Sequence, residues 1–210
     1  MPRSRMRYLL SISSLLLVIG CSPSYKSMQA TNGDVSMLQK FRPQFSVALY
    51  STQVDVVGNH LSGLLIIKKM PDSSLRMVFS NEIGFKFFDF EFAADGGFKV
   101  YSIIKKMNKR SVIKTLRKDF ELILMQHLDS SAVSIHKKDG LIYYVFPQSK
   151  GYNYYITDST GDKLVRMERA SKKKVVVEAI MENYLQGIPD TIGISHKTFN
   201  FTIGLKRLER

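Results

Sequence analysis

Hydrophobic and polar positions alternate over most of the chain, and turn residues recur about every ten positions. Phe45, Val47 and Leu49 alternate with Ser46, Ala48 and Tyr50, whereas Val54 and Val56 fall on the opposite parity. That phase change predicts a bulge or bend near Thr52. Strands then follow over 61–70, 75–80, 85–94 and 98–104, separated by Gly58-Asn59, Pro71-Asp72-Ser73, residues 81–84 and Asp95-Gly96-Gly97. A second run covers 141–146, 152–157, 164–169 and 175–184. Gly187-Ile188-Pro189-Asp190 breaks the pattern, and Ile192 and Ile194 then face Phe199, Phe201, Ile203 and Leu205 across a turn at His196-Lys197. The last strand alternates cleanly with Asn200, Thr202, Gly204 and Lys206, so one of its faces is buried and the other wet. Short, regularly spaced turns predict antiparallel hairpins and not βαβ units.

One long segment breaks this period. Val112, Leu116, Phe120, Ile123 and Leu124 fall at steps of three and four, predicting an amphipathic helix over 108–126 capped by Asn108 or Ser111. A shorter helix is expected over 34–42, with Asp34 or Asn32 capping, Val35, Leu38 and Phe41 inward, and Arg42-Pro43 ending it. Together these elements predict an α+β, mainly β domain over 34–210. About eleven antiparallel strands must curl or close, giving an incomplete barrel with the helix covering its concave face. Such an arrangement leaves an apolar space between helix and sheet.

The first residues follow another logic. Arg3, Arg5 and Arg7 precede an apolar run from Leu9 to Ile19, too short to span a membrane comfortably, which leads into Val18-Ile19-Gly20-Cys21. This resembles a bacterial lipobox, and Cys21 is the one cysteine of 210 residues. The resemblance implies a lipoprotein signal over 1–20, acylation of Cys21 (palmitate or a related chain), and a polar, lipidated tether over 21–33. It implies a cell-envelope protein tethered to a membrane, with Ser22 after the cysteine pointing to the outer membrane, facing the periplasm. Removing the signal leaves 28 basic residues against 18 acidic ones.

The terminal run Ile188-Pro189-Asp190-Thr191-Ile192-Gly193-Ile194, followed by Phe199-Asn200-Phe201-Thr202-Ile203-Gly204-Leu205, completes a recognisable order: lipobox, five-strand meander, helix, hairpins. That order resembles the bacterial LolA/LolB-like superfamily. The resemblance implies handling of lipids or lipidated proteins in an apolar cavity, with the lipoprotein acceptor as the nearer analogy.

Candidate chemistry is sparse. His60, His127, His136 and His196 form no metal-ligand spacing and have no cysteine partners. No Gly-x-Ser-x-Gly elbow and no Gly-rich loop before a helix occur. No cofactor, metal or catalytic residue is expected. Asp89 and Glu91, two apart in a Phe-rich strand, read either as an acid pair or as one face of a half-buried strand. Phe88, Phe90 and Phe92 read either as core or, with Val112, Leu116 and Phe120, as the lining of an acyl cavity. Lys105, Lys106, Lys109, Arg110, Lys114, Arg117 and Lys118 form a run without an acid. It reads as a solvated helix face or as attraction to an anionic membrane; export of the chain argues against nucleic acid as partner. The expectation is a non-enzymatic lipoprotein that binds or transfers acyl chains. The alternative is a structural or assembly lipoprotein docking an envelope protein through a sheet edge and its basic face.

Overall fold

The computed structural model describes residues 25, 27–56, 58–126, 128, 130–171 and 174–208; the expected signal segment over 1–20, Cys21 and His127 lie outside them. Thirteen strands form one sheet: β1 (Gln29–Ala30), β2 (Val47–Val56), β3 (Asn59–Lys69), β4 (Leu75–Ser80), β5 (Lys86–Phe92), β6 (Phe98–Ile103), β7 (Ser134–Lys138), β8 (Leu141–Gln148), β9 (Gly151–Thr157), β10 (Leu164–Ala170), β11 (Val175–Leu185), β12 (Ile188–His196) and β13 (Phe201–Arg207). The helix α1 (Arg110–Ile123) joins β6 to β7. Strand order is β1-β7-β8-β9-β10-β11-β12-β13-β2-β3-β4-β5-β6, antiparallel throughout. Two meanders are therefore zipped together by β13 against β2, with Ile203 opposite Val54, and among the described residues β6 and β1 remain as unjoined edges.

The sheet is curled into the open barrel expected. Tyr155 of β9 approaches the α1 backbone at Leu122, Arg169 of β10 and His196 of β12 reach Asp119, and Phe88 and Phe92 of β5 touch Phe120. In a flat sheet β9 and β5 would stand about 35–40 Å apart at ~4.8 Å per strand, too far for one helix about 10 Å across to touch both. The helix thus lies in the concavity. Leu116, Phe120, Ile123 and Leu124 are buried and Val112 is half-buried, following the predicted stripe. The helix ends shorter than expected, at Ile123, followed by a turn. Its N-cap is Lys109, with no side-chain cap, in place of Asn108 or Ser111.

Four other expectations need correction. There is no bulge at Thr52: β2 pairs with β3 in unbroken register, and its inward residues are Ala48, Tyr50, Thr52 and Val54, leaving Val47 exposed. Tyr50 and Thr52 can face inward because the Tyr50 hydroxyl donates to the Pro189 carbonyl at 2.7 Å and Thr52 to the Tyr50 carbonyl at 3.3 Å. Pro189 does not break the chain but lies within β12, where pairing to β13 begins only at Thr191. The short helix is a 3-10 helix, Val35–Phe41, with Asp34 accepting from the Ser36 N–H at 2.8 Å and Leu38 and Phe41 buried. Part of the segment expected as a tether is docked: Tyr25 stacks on Tyr154 at 4.2 Å and donates to the buried Glu168, and β1 pairs with β7. Every described strand and helix lies between Gln29 and Arg207.

Candidate functional site: the mouth of the barrel

In an antiparallel meander, successive turns fall at alternate ends, and here the alternation sorts charge. One end carries residues 81–85, 104–109, 149–150, 171–174 and 197–200. Among its described residues are Lys105, Lys106, Lys109, Lys150, Lys174 and Lys197, against Glu82 alone. The opposite end carries residues 70–74, 93–97, 139–140, 158–163 and 186–187, with Asp72, Asp95, Asp139, Asp158 and Asp162 against Lys163. These are called the basic and acidic ends.

A cavity of about 460 Å³ opens at the basic end, under the first turns of α1. Its walls are Val54, Val56, Leu61, Ile104, Met107, Val112, Leu116, Phe199 and Phe201, and its rim carries Asn59, Lys106, Lys109, Ser111 and Thr115. The Lys106 ammonium donates to the Asn59 side-chain oxygen, which holds it at the rim. Lys109 has no ion pair among the described residues. Below Leu116 the space closes: Leu65, Phe79, Phe88, Phe120 and Ile203 leave a void of only about 10 Å³. A second hollow of about 350 Å³ lies at the acidic end, lined more polarly by Gln39, Arg42, Gln44, Lys69, Ser73 and Gln126 around Phe92 and Leu124.

Of the candidate cavity residues, Val112 and Leu116 line the mouth. Phe88, Phe90, Phe92 and Phe120 form a packed aromatic core: Phe88 stacks on Phe90 at 4.3 Å and meets Phe120 at 5.8 Å. Phe199 and Phe201, read from sequence only as strand residues, and the pair Ile104 and Met107 are not among the cavity candidates of the sequence. The signal that marks the latter two is their place in the basic segment itself.

The basic run divides. Lys105, Lys106, Lys109, Arg110 and Lys114 are exposed. Arg117 is engaged, bonded to Glu121 at 2.6 Å and stacked over Phe98 at 5.2 Å. Lys118 is half-buried, and burial followed by the nearby Arg169 charge pulls its pKa down. With no acid in its first turn and no side-chain cap, α1 places cations against the positive end of its own dipole. Further unpaired features protrude from the same end: Ile83 is 90% exposed, Phe85 57% and Phe199 45%. Gly63 makes room for the β4–β5 turn, since a Cβ there would lie 2.0 Å from the Ser80 carbonyl oxygen.

Other polar groups are structural. Asp89 pairs with Arg76 at 2.5 Å and is buried, not wet; burial pushes its pKa up, but the Arg76 hydrogen bond and charge outweigh it and hold it below the usual range. Glu91 accepts from Tyr101 at 3.0 Å. His60 meets Asp55 at 2.7 Å and His136 meets Ser134 at 3.1 Å. His196 and Arg169 converge on buried Asp119 at 2.8 and 2.9 Å, pinning the middle of α1 to β12 and β10. Among the described residues no group of three or more His, Cys, Asp or Glu side chains could hold a metal. Among them, too, no helix is long and apolar enough to cross a membrane.

No family model and no curated protein matches the sequence. Solved structures do match the fold. A DUF1329 family protein from Desulfovibrio piger aligns over 83% of this chain and 88% of its own at 13% identity, TM-score 0.45. A domain designated an outer membrane lipoprotein-sorting protein, from Vibrio parahaemolyticus, aligns over 83% and 90% at 11% identity, TM-score 0.45. A LolA superfamily protein from Nitrosomonas europaea aligns over 85% and 93% at 9% identity, TM-score 0.52. The open, helix-filled barrel of this chain is a LolA-like fold.

Proposed function

We propose that this chain is a lipid-anchored protein of the bacterial envelope that takes an acyl chain into the cavity at its basic end while that end faces an anionic membrane surface. It moves or holds a lipid and breaks no bond. The observation that carries this reading is the coincidence, at one end of the barrel, of an open apolar cavity, exposed lysines and protruding apolar side chains. About ten buried methylenes at ~0.8 kcal/mol each reach ~8 kcal/mol, the micromolar range before ordering costs. Each lysine near an anionic leaflet adds about 1 kcal/mol. Ile83 and Phe85, exposed on one turn beside these lysines, suit the headgroup boundary better than water. The uncapped, cation-rich start of α1 costs local helix stability, and a neighbouring anionic surface would offset that cost. The lipobox at Cys21 and the LolA-like fold agree with this reading, and outer-membrane placement facing the periplasm is part of it.

Native mass spectrometry of the mature protein released from envelope membranes tests it. An acyl-bearing adduct is expected on the parent and is lost in Val112→Trp, which fills the mouth without entering the packed core. Bare protein in both preparations contradicts the reading.

A further inference from the structure

Resting on that acyl-binding reading, we propose that the mouth accepts one acyl chain bearing an anionic head, a single-chain amphiphile, with the head on Lys106 and Lys109.

Capacity sets the number of chains. A methylene fills roughly the space of a water molecule, ~30 Å³ in the liquid. The cavity of about 460 Å³ therefore matches on the order of fifteen such groups, the size of one chain. It does not continue inward as a channel for a chain, because the void beyond Leu116, about 10 Å³, has room for about one water at most. Nor does it join the hollow at the acidic end, from which it is separated by the packed Phe88 and Phe120 rings.

The rim sets the head. Among the lining residues are two lysines and no aspartate or glutamate. Lys106 is held in place by Asn59, so its ammonium is positioned before any ligand arrives. A carboxylate or phosphate at the rim forms charge-assisted hydrogen bonds that a hydroxyl head does not match. Fatty acids and lysophospholipids share this chemistry, one chain and one anionic group.

Residues 22–210, which contain every described strand and helix, are titrated at pH 8 with palmitate, lysophosphatidylglycerol, hexadecanol and dipalmitoylphosphatidylglycerol, each displacing a fluorescent fatty acid. Palmitate and lysophosphatidylglycerol are expected to bind one to one, about tenfold or more tighter than hexadecanol. The two-chain lipid is expected to be weaker than its one-chain counterpart by a similar factor. Lys106→Gln with Lys109→Gln, both exposed, should bring palmitate down to hexadecanol while the circular dichroism stays unchanged. Equal binding of palmitate and hexadecanol by the parent overturns the head assignment and leaves acyl binding standing. Equal binding of one- and two-chain lipids overturns the capacity argument. Binding of none of the four overturns the acyl reading itself.

Discussion

The basic and acidic ends of the barrel are built from the same kind of tight hairpin turn, yet their charges do different things. At the acidic end three of the five aspartates hold turn backbone, and Asp162 pairs with Lys40 at 3.4 Å. Asp72 accepts from the Ser74 N–H at 3.0 Å, Asp95 from the Gly97 N–H at 2.8 Å and Asp158 from the Asp162 N–H at 2.8 Å, while Asp139 takes the left-handed conformation its turn requires. At the basic end no comparable duty falls on Lys105, Lys109, Lys150 or Lys174; turn geometry has no use for an ammonium. Aspartates that hold turns thus gather at one end and lysines without a turn duty at the other, beside the apolar mouth, although Lys197 there pairs with Glu178 at 3.0 Å.

The comparison rests on a packed partition between the ends, and the largest effect comes from breaching it. Phe120→Ala removes a fully buried ring that touches Phe88 and Phe92 and should cost about 3–5 kcal/mol in urea unfolding. A loss under about 1 kcal/mol would mean the interior is already open from end to end.

Next in size is the electrostatic difference. Replacing Lys105, Lys106 and Lys109 with Gln should weaken binding of residues 22–210 to anionic vesicles by about two orders of magnitude at low salt. The parent's preference should also fade as salt rises. Neutralising Asp139, Asp158 and Asp162 should leave that binding essentially unchanged. Equal sensitivity at both ends would show that net charge, not its placement, matters.

Acid should separate the ends in the opposite sense. The Ser74 hydroxyl and N–H hold the Asp72 carboxyl below its ordinary value; burial pushes Asp158 up, but the N–H groups of Lys163 and Asp162 together with its other turn hydrogen bonds outweigh it and hold it low. A depressed folded pKa stabilises the folded state fully above the unfolded value near ~3.9 and is lost as pH falls through the folded one. Amide protection factors below about pH 4 should therefore fall first in residues 70–74 and 158–163. An earlier fall in residues 104–109 would contradict this.

The smallest effect concerns Ile83. At 90% exposure it contributes little to the fold, so Ile83→Asp should change stability by less than about 0.5 kcal/mol. Its vesicle affinity should still fall measurably. Unchanged affinity would remove the β4–β5 turn from the membrane-facing surface.

Much of this architecture can be read in the sequence because period and turn chemistry carry it. The stripe of Leu116, Phe120, Ile123 and Leu124 and the alternation of Phe201, Ile203 and Leu205 each bury as expected. The face of β2 was not legible, since Tyr50 and Thr52 turn inward only where the Pro189 and Tyr50 carbonyls accept their hydroxyls. Two-residue β1 is set by pairing to β7, not by its own pattern. The mouth was half legible. Val112 and Leu116 follow from helical period, but Val54, Leu61 and Phe201 join them only once β13 lies beside β2 and the sheet curls. The charge segregation was available in principle, because aspartates and lysines recur in alternating turns. It becomes visible only when the helix crossover has assigned each later turn to its end.

The central claim is that the basic-end cavity, and not its acidic counterpart, takes the acyl chain. Paramagnetic relaxation measured on methyl-labelled protein with a stearate spin-labelled near its tail tests this most directly. The account predicts strong broadening of the Val112, Leu61 and Met107 methyls with Leu75 and Leu124 unaffected. Broadening centred on Leu75 and Leu124, or none at any methyl, would contradict it.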